Sequence, residues 1–106
     1  MQLRLLGGQV VLEKPQDFKS FKLVIQDAAS DAEVAHAFAG VARFEEGIGI
    51  AWVSQEALRA WPGLASDRAW HEGLDRMIEK ARPFGWVDDS QAAIRGHVER
   101  TQETKQ

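Results

Sequence analysis

Cysteine is absent from this chain of 106 residues, and with it go disulfides, thiolate zinc sites, iron–sulfur clusters and a cysteine nucleophile. The core must be held by burial alone, which fits a reducing compartment and points to the cytoplasm. Long apolar runs are missing too. Nothing approaches the roughly 18 consecutive apolar residues of a membrane-crossing helix. The opening stretch from Met1 to Leu12 has Arg4 in its middle and reaches Gly7-Gly8 without the apolar core of a signal peptide. No membrane partner is expected. Excess positive charge is also lacking: 13 Lys and Arg stand against 16 Asp and Glu, a net charge of −3. That leaves no broad basic field for a phosphate backbone, so nucleic acid is not expected as a partner. There is no Walker-type loop, no G-x-G-x-x-G, no nucleophile elbow and no H-E-x-x-H. Gly47-Ile48-Gly49 looks like the start of a phosphate loop, but the later glycine and the helix that should follow are missing.

What is present describes an ordinary globular domain. An apolar fraction of 44% with 27% charged residues is too apolar for a disordered chain. A length of 106 residues leaves little room for a second core. One domain over 1–100 is expected, followed by a polar, frayed tail over 101–106.

Periodicity and punctuation place the elements. Gln2 to Leu6 and Gln9 to Glu13 flank Gly7-Gly8, whose tolerance of positive φ suits a tight hairpin. Lys14-Pro15-Gln16-Asp17 breaks that pair. Phe21, Leu23 and Ile25 then alternate with Lys22, Val24 and Gln26 in a third strand, and Asp27-Ala28-Ala29 leads out. Ser30 with Glu33 forms a capping box for a helix over about 31–39, with Gly40 as its terminator. Val41 to Glu45 and Ile48 to Val53 flank Glu46-Gly47 as a second hairpin. The small residues Gly49 and Ala51 share one face of its second strand, which would suit a central position. Ser54 caps a short helix through Trp61, ended by Pro62-Gly63. Ser66 or Asp67 caps the longest helix, over about 67–82, with Trp70, Leu74, Met77, Ile78 and Ala81 on its apolar face. Pro83 stops it. Phe84-Gly85-Trp86-Val87 is an apolar loop that needs cover, and Asp88-Asp89-Ser90 turns the chain. Ile94, Gly96 and Val98 alternate with Arg95, His97 and Glu99 as a last strand. A helix over 90–100, capped by Ser90, competes for the same residues.

The closing segment Gly85-Trp86-Val87-Asp88 and Ile94-Arg95-x-His97-Val98-Glu99, with the Gly7-Gly8 opening and the helix carrying Trp70 and Met77, resembles a group of small bacterial proteins of about 100 residues without an assigned activity. The resemblance implies a free-standing bacterial protein. It carries over no catalytic residue.

Three side chains form the most suggestive cluster. On a strand, Arg95, His97 and Glu99 would stand side by side about 7 Å apart, so that Glu99 orients His97 as a general base. The same alternation is also that of a plain solvated sheet face. Were the segment helical, Arg95 and Glu99 would be only a surface pair. His71 and Asp75 stand four apart on the long helix, a spacing that can present two metal ligands, but completing the set would need a second element to bring His97 and Glu99 to them. His36 faces away from Val34 and Phe38. His97-x-Glu99 matches part of a zinc deaminase signature whose cysteines are absent. No metal ion or cofactor is expected. The four tryptophans are a heavy load for this length. Trp61 and Trp86, beside Pro or Gly turns, together with Arg59, Phe84 and Trp52, are the candidates for binding, and core filling is the alternative for each.

The expected fold is therefore α+β: a mostly antiparallel sheet of five or six short strands, with one long and two short helices packed on one face. The other face is left open to water or to a second copy, so a homodimer is expected. Two functions follow from the sequence. One is a non-catalytic binding or protein-interaction module using the aromatic residues near 61 and 84–86. The other is a site for a small apolar or anionic molecule, extending to a simple isomerase or lyase that uses His97 with Glu99 and Arg95.

Overall fold

The computed structural model of the chain describes residues 1–26, 30–45 and 49–101. Gln2–Leu6 (β1) and Gln9–Glu13 (β2) pair antiparallel around Gly7 and Gly8, at φ of 55° and 82°. Lys22–Gln26 (β3) follows the Pro15 break. Asp31–Ala37 (α1) carries the expected capping box: the Ser30 hydroxyl accepts from the Glu33 amide at 3.1 Å, and the Ser30 amide donates to the Glu33 carboxylate at 2.8 Å. Ala42–Glu45 (β4) and Ile50–Ser54 (β5) form the second hairpin, whose expected turn at Glu46-Gly47 lies outside the described residues, as does the lead-out after β3. Gln55–Arg59 (α2) is capped by Ser54 and ends before Trp61, shorter than the sequence suggested. Arg68–Ala81 (α3) is capped by Asp67, which accepts from the Trp70 amide at 3.0 Å. A single 3-10 turn, Arg82–Phe84, leads through Gly85 to Val87–Asp88 (β6) and Ala93–Thr101 (β7). The competing helix over 90–100 is thus replaced by a strand. Thr101, expected in the tail, closes that strand, and the rest of the tail lies outside the described residues.

The sheet is mixed, which corrects the expectation of a mostly antiparallel one. Its order is β2-β1-β3-β7-β5-β4, with β6 alongside β7, making seven strands among the described residues rather than five or six. β3 lies parallel to β1, with Leu3 facing Leu23, and parallel to β7, with Leu23 facing Val98. Parallel neighbours need a long connection between them, and here α1, α2 and α3 fall between β3 and β7 in the chain. The strand read as central from Gly49 and Ala51, β5, is interior, paired with β7 on one side and with the edge strand β4 on the other, while β3 and β7 hold the middle of the sheet. The glycine that permits close approach is Gly96 of β7. A Cβ there would stand 2.7 Å from Leu23 Cδ1 and 3.3 Å from Phe21 Cε2.

One face of this sheet meets the helices. Leu3, Leu5, Leu23, Ile25, Val53 and Ile94 from the strands join Val34 of α1, Leu58 of α2 and Trp70, Leu74 and Ile78 of α3 in one apolar cluster. Each such side chain taken out of water contributes about 1.5–3 kcal/mol. Trp70 spans the layers: its indole N–H donates to the Pro15 carbonyl at 2.8 Å. The residues alternating with these form the opposite face, where cross-strand pairs meet water: Arg4 with Glu13 at 3.0 Å and Lys22 with Glu99 at 2.9 Å. Among the described residues no helix is long and apolar enough to cross a membrane.

Candidate functional site

β7 is longer than any strand beside it, and this creates the site. β5 covers one side of it from Ala93 to His97. On the other side β6 pairs only with Ala93 and Ile94, and β3 begins its pairing at His97. Between them, at Arg95 and Gly96, neither strand lies alongside. A cavity of about 540 Å³ opens at this gap, a volume in the range of small-molecule sites. Its apolar surface comes from Ile50, Met77 and Ile94 with the rings of Phe18, Phe21, Phe84 and Trp86. Its polar side chains include Lys19, Lys80, Arg95 and His97.

Each group is placed by local structure. Strand alternation puts Arg95 and His97 on the same face of β7. The Arg95 amide donates to the Trp86 carbonyl at 2.8 Å, tying the 84–87 segment to the strand. Pro83 ends α3 in the 3-10 turn, and Gly85, at φ of 77°, reverses the chain in a conformation that favours glycine. That reversal stacks Phe84 on Trp86, with centroids 4.7 Å apart and planes 22° from parallel. The guanidinium carbon of Arg95 stands 5.8 Å from the Trp86 ring centroid, a cation–π distance. The apolar loop was expected to find cover, yet Phe84 remains 66% and Trp86 40% exposed. From the other wall, Met77, Lys80 and Ala81 recur at helical spacing along α3. The loop bearing Phe18 and Phe21 is held by Phe18 lying against Gly73 and by the Met1 amino group, which donates to the carbonyls of Asp17 at 2.6 Å and Ser20 at 3.0 Å.

The charge in the cavity has one sign. No carboxylate among the described residues lines it. Elsewhere several cations are ion-paired, Arg4 with Glu13, Lys22 with Glu99, Arg59 with Asp75, Arg82 with Glu79 and Asp89, and Arg100 with Asp31, while Lys14, Arg43, Arg68 and Arg76 have no ion pair among the described residues. Among the described residues, Lys19, Lys80, Arg95 and His97 have no ion-pair partner within 4.0 Å, unlike those pairs at 2.6 to 3.1 Å.

Of the residues singled out from sequence, Arg95, His97, Phe84 and Trp86 come together. Glu99 shares a strand face with His97, but its carboxylate is taken by Lys22, whose hydrogen bond holds it below the usual carboxylate range. Trp52 lies elsewhere, donating its indole N–H to Glu45 at 3.1 Å and lining a shallower depression of about 210 Å³ with Arg43, Ser54 and Gln91. Trp61 is half-buried against the core, and Arg59 is paired with Asp75 at 2.6 Å. His71 is not joined to Asp75: its ring nitrogen lies 3.1 Å from the Leu64 carbonyl. His36 is exposed. Sequence reasoning missed Lys19, Lys80, Phe18 and Phe21. A signal existed in the aromatic pair Phe18-x-x-Phe21 around Lys19, and in Lys80 sitting at the edge of the apolar stripe of α3.

Searches against protein-family models, curated proteins and solved structures found no match for the chain.

Proposed function

We propose that this protein is a non-catalytic binding module for a small amphipathic anion, with an apolar body seated between the aromatic walls and an acidic group met by the basic rim. One observation carries the reading: four aromatic rings and four basic side chains surround a single cavity without a carboxylate among its described lining. Unpaired cations beside apolar surface favour a ligand that supplies both the missing charge and the missing cover. Acid–base catalysis is the weaker reading. With Glu99 engaged by Lys22, the imidazole of His97 has no carboxylate in the cavity to orient it. A second reading, contact with a protein partner or a second copy through Phe84 and Trp86, is favoured by the exposure of that pair.

The test is a fluorescence titration with 8-anilinonaphthalene-1-sulfonate, an aromatic anion, monitored alongside sedimentation. Saturable one-site binding is expected. Arg95→Gln or Lys80→Glu should each weaken it roughly tenfold, the scale of one charge-assisted hydrogen bond. Arg59→Ala, outside the cavity, should leave it unchanged. Binding that ignores both charge substitutions contradicts the proposal, and a dimer that dissociates on Trp86→Ala without any anion binding favours the second reading.

A further inference from the structure

Resting on that reading of the cavity, we infer that its ligand is a planar aromatic carboxylate whose ring extends the Phe84–Trp86 stack and whose carboxylate is received by Arg95. The two rings are near-parallel and partly open to solvent. Phe84 and Trp86 lie within 22° of parallel at 4.7 Å, in the range of offset stacking, while 66% and 40% of their surfaces stay in water. A rigid ring covers such a surface without freezing rotatable bonds, whereas an alkyl chain must give up its rotamer freedom to do the same.

Arg95 supplies the second half of the argument. Its guanidinium is already turned toward the Trp86 ring at 5.8 Å and has no ion-pair partner among the described residues. It is a planar fork, so it matches the two oxygens of a carboxylate lying in the plane of an aryl ring. Lys80 on α3 brings further positive charge to the same cavity, and His97, two residues along the same strand face, adds an imidazole that can share a hydrogen bond. At about 30 Å³ per water, 540 Å³ corresponds to about 18 waters. That is room for a fused two-ring acid, and more than a single ring fills.

Calorimetric titration with three probes tests this: 2-naphthoate, decanoate and the neutral naphthalene-2-carboxamide. 2-Naphthoate should bind about tenfold more tightly than either of the others, reflecting one stacking contact and one charge-assisted pair respectively. Phe84→Ala, which removes a largely exposed ring and should leave the far-ultraviolet circular dichroism unchanged, should weaken 2-naphthoate about fivefold and decanoate less than about twofold. Decanoate binding as tightly as 2-naphthoate, or an equal loss of both with Phe84→Ala, overturns the aromatic class while leaving an amphipathic-anion site standing. Carboxamide binding equal to 2-naphthoate overturns the assignment of the carboxylate to Arg95. If none of the three binds, the cavity reading itself fails, and this inference with it.

Discussion

Gly96→Ala perturbs the fold and the cavity at one point, and its magnitude can be worked from the packing. The added methyl would stand 2.7 Å from Leu23 Cδ1 and 3.3 Å from Phe21 Cε2, well inside the roughly 3.5–4.0 Å of comfortable carbon contact. Leu23 is fully buried, so its Cδ1 must shift within a packed core. Phe21 is half-buried at the cavity and must yield. Overpacking of this kind costs about 1–3 kcal/mol. Gly96 is not among the positive-φ positions, so alanine adopts its backbone without strain and offsets about 0.4–1 kcal/mol through a less disordered unfolded state. With values near the middle of both ranges, the net loss is about 1–2 kcal/mol. Unfolding entropy near 2.1 cal/mol/K per residue gives about 0.22 kcal/mol/K for 106 residues, so the melting temperature should fall by about 5–9 °C. Calorimetric melts of the wild type and variant measure this. Because the displaced Phe21 ring moves at the cavity wall, 2-naphthoate binding should weaken in the same variant. An unchanged or raised melting temperature would refute the claim that β7 approaches its neighbours too closely for a side chain at this position.

Other perturbations follow from the same contacts. Trp70→Phe removes the indole N–H that meets the Pro15 carbonyl at 2.8 Å and leaves a void in the core; urea unfolding should show a loss of about 1–3 kcal/mol. Lys22→Gln removes the partner that holds the Glu99 carboxyl low, so its pKa should climb toward the ordinary 4.5 in a nuclear magnetic resonance titration. Because the folded value is depressed, the stability from this pair is present above that ordinary value and is lost as the pH falls through the folded one. The stability difference between wild type and Lys22→Gln should therefore shrink on acidification. Arg59→Ala breaks a solvent-facing pair with Asp75, and denaturant midpoints should move by less than about 1 kcal/mol.

The elements were legible because local chemistry fixes them. Ser30 and Glu33, Asp67 and the apolar stripe of α3, and Gly7-Gly8 each act through neighbours in sequence, and each lies where its pattern indicates. The order of the strands was not legible. Nothing in the alternation of Phe21, Leu23 and Ile25 says whether β3 runs with or against its neighbours, since period 2 is the same in both. β6, with only two residues, is too short to show a period. The site was legible in part. Arg95 and His97 followed from alternation, and Phe84 and Trp86 from aromatic residues beside a turn. Glu99 shares the strand face with His97 as alternation indicates, but its carboxylate is also held by Lys22 on another strand, a contact that depends on the parallel register of β3 and β7 and that the alternation of β7 alone does not reveal. Lys19 and Lys80 come from a loop and a helix edge, where a cation is normally surface, and only the gap between β6 and β3 brings both to the lining of one cavity.

The most direct test of the account is a titration of 2-naphthoate into isotopically labelled protein, followed by amide and indole resonances. The largest shifts are expected at the Trp86 indole N–H and at the amides of Lys80 and of residues 95–97. Shifts centred on the depression beside Trp52, or none at saturating ligand, would contradict it.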